Sequence, residues 1–104
     1  MSHSTEDLQR FRTAVADEEV EVAMRVAGGL PYVGIGDALD LVRLLARRRD
    51  PRFDRAANRW LARFIAERGA SLGQAQVATA AMGALALDPD DERAIGLLRG
   101  ALDG

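Results

Sequence analysis

Eight of the chain's fourteen basic residues lie between positions 47 and 68, and all fourteen are arginines. A guanidinium keeps its charge at any biological pH and presents a planar fork of donors that matches a carboxylate or phosphate in pairs. The chemistry this stretch could do is anion recognition. At 100° per residue, Arg52, Arg55, Arg59 and Arg63 fall within roughly 80° of arc on a helix, and Arg47, Arg48 and Arg49 extend the row. Only Asp50, Asp54 and Glu67 oppose them, so this segment sums to +5 while the stretches before and after it sum to −4 and −3. In one reading, arginine stems cover apolar rim and their heads pair with acids of flanking helices. In the other, Arg48, Arg52, Arg55, Arg59 and Arg63 form a docking face, with Tyr32 as a further candidate contact from an apolar connection earlier in the chain.

Other chemistry is thinly represented. There is no cysteine and one histidine, His3, so neither thiolate chemistry nor a His-based metal cluster is expected. Ser2, Ser4, Thr5 and Ser71 fall in the tail or at capping positions, and Thr13 and Thr79 stand alone, which leaves no nucleophile with a base beside it. Acids gather at Asp17 to Glu19 and Asp90 to Glu92, where first helical turns would favour them through the backbone dipole. Gly34-Ile35-Gly36 invites a phosphate-loop reading, but Asp37 would repel phosphate, no lysine follows and no strand precedes. No catalytic residue, metal ligand or cofactor is assigned.

The elements that position the arginines come from periodicity and capping. Phe53, Ala56, Ala57, Trp60, Leu61, Phe64 and Ile65 recur at the spacing of one apolar helical face. That helix contains the only tryptophan and two of three phenylalanines, so Phe53, Trp60, Leu61 and Phe64 are the expected heart of the core. Asp50 and Pro51 suit its start and Gly69 its stop. Ser4 with Asp7 resembles a capping box for a first helix over 5–16, with a break near Asp17. A second helix runs to about Ala27, where Gly28 and Gly29 end it. Leu30 to Gly36 then reads as an apolar loop, with Tyr32 and Val33 turned inward or, alternatively, exposed for a partner. Asp37 opens a third helix that fades into Arg47 to Arg49. Ser71 and Gln74 cap a fifth, and Asp88-Pro89 repeats the Asp50-Pro51 start for a sixth bearing Ile95, Leu98 and Leu102. Gly96 and Gly100 would let that last helix lie close to a neighbour.

The two Asp-Pro pairs are 38 residues apart, an offset that aligns Ala56 with Ala94, Trp60 with Leu98 and Phe64 with Leu102. Such an offset hints at stacked helix pairs. ALALDPDDERA resembles the end of a tetratricopeptide repeat over about a dozen residues, which bears on geometry alone. A longer likeness covers about two thirds of the chain. Gly29 to Tyr32, Asp37 to Leu39 and Arg55 to Phe64 resemble the Gly-Leu-Pro-Tyr, Asp-Ala-Leu and Arg-Ala-Ala-x-Arg-Trp-Leu-x-Arg-Phe segments of a family of small uncharacterised all-helical proteins from actinobacteria. The resemblance implies an all-helical fold and a bacterial cytoplasmic setting, and it implies no activity.

The expectation is therefore a single all-α domain over 1–104, its first four residues frayed. About six helices form three antiparallel pairs, either solenoid-like or as a compact bundle. No stretch approaches the ~18 apolar residues of a membrane span, and the start lacks the basic-then-apolar order of a signal peptide, which points to the cytoplasm. The function expected is a protein-interaction or accessory module with a protein partner or self-association, ahead of nucleic-acid binding through the arginine stripe.

Overall fold

A computed structural model describes residues 3–103, with side chains from residue 5 to residue 103. Six helices follow one another: α1 (His3–Ala16), α2 (Val20–Gly29), α3 (Ile35–Arg47), α4 (Phe53–Arg68), α5 (Leu72–Leu87) and α6 (Glu92–Asp103). The described residues contain no strand. Short links leave consecutive helices side by side, so α1 packs with α2, α3 with α4 and α5 with α6. The expected three pairs are present, and they form a compact bundle because contacts also run between pairs. Helix α3 touches α1, α2, α4 and α5.

That role for α3 reflects its composition. Ile35, Leu39, Val42, Leu44, Leu45 and Ala46 are all buried, which is more than one helical face can hold. Leu44 joins Phe11, Ala14, Ala23 and Val26 in a small cluster with α1 and α2. Leu39, Val42 and Leu45 join Trp60, Phe64, Met82, Leu85 and Leu98 in the main core with α4 to α6. Trp60 is 1% exposed, its indole N–H donates to the Ile35 carbonyl at 2.9 Å, and its ring stacks on Phe64 at 5.3 Å. Phe53 and Phe64 are buried as expected, Leu61 is half-buried, and Ile65 departs from the expected face by lying exposed. The other helices cover α4, but α3 is the element they share.

Helix ends show where local signals were read correctly and where they were displaced. Ser71 and Gln74 make the reciprocal capping box, at 3.1 and 2.8 Å. Gly69 closes α4 in the left-handed region at φ 58. Both Asp-Pro pairs, however, form turns ahead of their helices and do not supply first helical residues. Asp50 Oδ1 accepts from Arg52 N at 2.9 Å and Asp88 Oδ1 from Asp90 N at 3.0 Å. The carbonyls of Asp50 and Asp88 accept from the N–H groups of Phe53 and Asp91. The 38-residue offset is thus repeated bond for bond, and α6 takes its cap from Asp91, which accepts from Ala94 N at 3.0 Å.

Several boundaries differ from the sequence expectation. Asp17 to Glu19 form the α1–α2 turn and not the first turn of α2: Glu18 takes φ 57, and the Glu18 and Glu19 N–H groups donate to the carbonyls of Val15 and Ala14. This six-to-one closure ends the helix without glycine. Arg49 does the same for α3 at φ 49, with Asp50 N bonded to Leu45 O. Gly28 and Gly29 continue α2 to its end, and both are exposed. Helix α3 starts two residues before Asp37 and has Gly34 at its N-cap, because the Asp37 carboxylate is committed to Arg12 of α1, at 3.0 and 3.1 Å. Gly96 and Gly100 mediate no close approach, since a Cβ at either would meet nothing within 4 Å. The expected Ser4 cap and the His3 side chain lie outside the described side chains.

Candidate functional site

The arginine row does lie along one flank of α4, but its members have different fates. Arg52 is committed to the fold. Its Nε and Nη2 donate to the two oxygens of Asp50 at 2.9 and 2.8 Å, and Nη2 also reaches Glu21 Oε1 of α2 at 2.6 Å. These bonds hold the Asp50 carboxyl down to about 2, Arg52's side-chain hydrogen bond being the main cause, and raise the Arg52 guanidinium above its ordinary value. Arg47 faces Glu18 at 3.8 Å, joining the ends of α3 and α1.

Arg63 is committed as well, and it explains the loop. Its Nε donates to Glu67 Oε2 at 2.8 Å one turn further on, and Nη2 donates to the Val33 carbonyl at 2.8 Å. The guanidinium carbon lies 5.4 Å from the centre of the Tyr32 ring, and the Tyr32 hydroxyl donates to Glu67 Oε1 at 3.4 Å. Glu67's hydrogen bond raises Arg63, and Arg63's lowers Glu67 in return. Tyr32 is consequently 65% exposed and pinned at the same time. The inward turn expected of it fails because its ring has a cation to cover at the surface, and a buried hydroxyl there would need another partner. Val33 is half-buried and Ile35 buried, so the loop is packed at its end and open at its tip.

Arg48, Arg55 and Arg59 remain. All three are exposed, and among the described residues none of them makes an ion pair. The structure therefore divides the six candidate contacts between two roles: Arg52, Arg63 and Tyr32 tie α4 to α2 and to the loop before α3, whereas Arg48, Arg55 and Arg59 face solvent unpaired.

Sequence reasoning missed a cleft beside this flank. It has a volume of about 300 Å³ and lies among α2, α3 and α4, with Met24, Ala38, Leu41, Val42 and Trp60 among its apolar lining. Arg59 and Arg63 also line it. The signal that could have found it is Gly28, which has no side chain and leaves the face of α2's last turn open beside the cleft.

A second charge cluster sits across the bundle. Arg99 of α6 pairs with Asp40 of α3, while Arg43, between Arg47 and Arg99, is held below its ordinary value chiefly by burial and then by those two cations. Its Nε is buried without a partner. Among the described residues no group of three or more acids or histidines is placed to hold a metal ion, and no helix is long and apolar enough to cross a membrane. Comparisons with protein-family models, curated proteins and solved structures find no match to this chain.

Proposed function

We propose that the chain is a helical interaction module that docks an acidic protein surface along the exposed flank of α4. The observation that supports this is the unpaired state of Arg48, Arg55 and Arg59 beside Arg52 and Arg63, two arginines of the same row that are ion-paired within the fold. A fold that needed all of these cations for itself would pair all of them. On this reading Arg52, Arg63 and Tyr32 set the geometry of the face, and the unpaired guanidiniums meet the partner's carboxylates in bidentate fashion. The actinobacterial family resemblance and a cytoplasmic setting belong to the same proposal.

Nucleic acid fits this face less well. With Arg47, Arg52 and Arg63 paired, Arg48, Arg49, Arg55 and Arg59 are left for phosphates, which would give a salt slope of roughly −3 to −4 and weak sequence-independent affinity. A protein partner needs no more than a few such contacts around an apolar centre.

Affinity capture from the source cell after nuclease treatment, followed by reconstitution with the purified partner, tests the reading. Wild-type protein is expected to retain a partner that Arg55→Glu with Arg59→Glu loses, with the helical circular dichroism of the double variant unchanged. Undiminished binding of the purified partner to the double variant would retire the flank as a docking face. Tight, salt-sensitive binding of wild type to a generic duplex or single strand would put nucleic acid in the partner's place.

A further inference from the structure

The cleft beside Arg59 combines two properties that seldom meet on a surface without a ligand. Its lining contains no acid, hydroxyl or amide side chain; apart from the apolar residues and Gly28, only the guanidinium side chains of Arg59 and Arg63 contribute to it. Trp60 belongs to this lining from beneath, 1% exposed and with its donor already satisfied by the Ile35 carbonyl, so it adds no open polar atom to the cleft. Arg59 has no ion pair among the described residues, and the bonds Arg63 makes use its Nε and Nη2, leaving Nη1. An apolar hollow with free cationic donors at its edge is complementary to a molecule that is apolar at one end and anionic at the other.

We propose that this cleft binds a small monocarboxylate with an apolar body, of the size of a medium-chain fatty acid. The volume of about 300 Å³ lies at the small end of ligand sites and equals roughly ten water molecules, which suits a chain of about eight to ten carbons and excludes a phospholipid. The tail displaces water from the half-buried Met24, Val33, Ala38 and Leu41. The carboxylate takes Arg59 as a paired donor and Arg63 Nη1 as a third contact, so the charge is met without desolvating an unpaired group. A neutral amphiphile of equal length leaves the Arg59 guanidinium without a partner, and a cationic one is repelled. This inference goes beyond the protein-docking reading and does not depend on it, since the cleft is probed on the purified protein alone.

Trp60 is the only tryptophan and lies just beneath the cleft, so its emission responds when occupancy changes the surroundings of its ring. The probes are sodium decanoate below its aggregation threshold, with decanol and decyltrimethylammonium as partners of equal tail. Saturable change is expected with decanoate, at least about tenfold tighter than with either comparator, and weakened about tenfold or more in Arg59→Gln. Gly28→Leu is expected to abolish the change. A Cβ there meets nothing within 4 Å, and the substitution exchanges glycine for a better helix former, so the added side chain occupies the cleft and not the core. Arg59 is exposed, which keeps Arg59→Gln decisive should Gly28→Leu unfold. Equal affinity for all three amphiphiles, absence of binding at millimolar decanoate, or binding indifferent to both substitutions would each overturn the proposal. So would an acidic peptide that fills the cleft where decanoate does not.

Discussion

Trp60→Ala puts the largest single strain on this bundle, and its magnitude can be worked from the contacts. The side chain is 1% exposed at the meeting of α3 and α4, with Phe64 stacked on one face at an interplanar angle of 8°. Truncation forfeits the transfer energy of an indole and leaves a cavity, a combination that costs about 3 to 5 kcal/mol for a buried tryptophan. The stack adds about 0.5 to 1.5 kcal/mol at most and overlaps that figure. Loss of the hydrogen bond to Ile35 adds little, because a carbonyl in the first turn of α3 has a second lone pair and the helix itself supplies a donor four residues on. The lower half of the range is therefore favoured if the neighbouring cleft lets α2 settle inward, the upper half if it does not. A domain of this length has about 5 to 15 kcal/mol in all, so most of a marginal stability would go.

Urea unfolding followed by far-ultraviolet circular dichroism measures the effect, since tryptophan emission is lost with the residue. Trp60→Phe keeps a stackable ring and is expected to retain about half of what Trp60→Ala loses. A loss below about 1 kcal/mol for Trp60→Ala would refute the reasoning, and Trp60 would then be a candidate binding anchor and not the keystone of the core.

Stability should also depend on acid pH through Asp50. Its folded-state value of about 2 lies below the ordinary 3.8, so the contribution is fully present above the ordinary carboxylate value and disappears as pH falls through 3.8 towards about 2. Asp50→Asn is expected to flatten that part of the pH–stability curve and to cost up to about 1 kcal/mol at neutral pH through the lost ionic bonds to the Arg52 guanidinium, the amide oxygen still accepting from Arg52 N; an unaltered curve would show that Arg52 is not its partner in solution. Two substitutions at the left-handed positions should act in opposite senses. Gly69→Ala at φ 58 is expected to destabilise by about 1 kcal/mol although its Cβ would touch nothing within 4 Å, and Arg49→Gly at φ 49 to stabilise by a similar amount. Thermal unfolding of the pair checks this, and shifts of the same sign would remove backbone conformation as the cause.

Helix identity was legible in the sequence where an apolar period or an end signal marked it, as the Phe53 to Phe64 spacing does for α4 and the Ser71–Gln74 box for α5, and Trp60, Phe64 and Leu98 could be placed in the core from spacing. Boundaries were less legible where two residues competed for one task. Asp37 looked like a cap, and nothing local reveals that Arg12, 25 positions earlier, takes its carboxylate. The stops near Asp17 and at Arg47 to Arg49 were legible, but Glu18 and Arg49 close those helices in a conformation normally announced by glycine, so the manner of closure was not. The α1–α2 turn was read as a helical start for the same reason: three acids in a row fit a positive dipole end as well as they fit a solvated turn. The cleft was invisible because its lining comes from three helices, and only their mutual packing decides whether the space left by Gly28 is filled.

The division within the arginine row has a cause that the helix itself supplies. A side chain on α4 can meet partners three or four residues away. Arg63 finds Glu67 at that distance, and Arg52, at the helix start, can reach back to Asp50 and across to Glu21. Arg55 has Pro51, Arg52, Asn58 and Arg59 at those positions, and Arg59 has Arg55, Ala56, Ala62 and Arg63. Neither is offered an acid by its own helix. Each instead has a cation one turn away, an arrangement that destabilises a helix by about 0.2 to 0.5 kcal/mol per pair. Glu67 offsets this at Arg63, but nothing among the described residues does so at Arg55 and Arg59. Of the two, Arg59 borders the open cleft, and an anion bound there would supply the counter-charge that the sequence withholds from it.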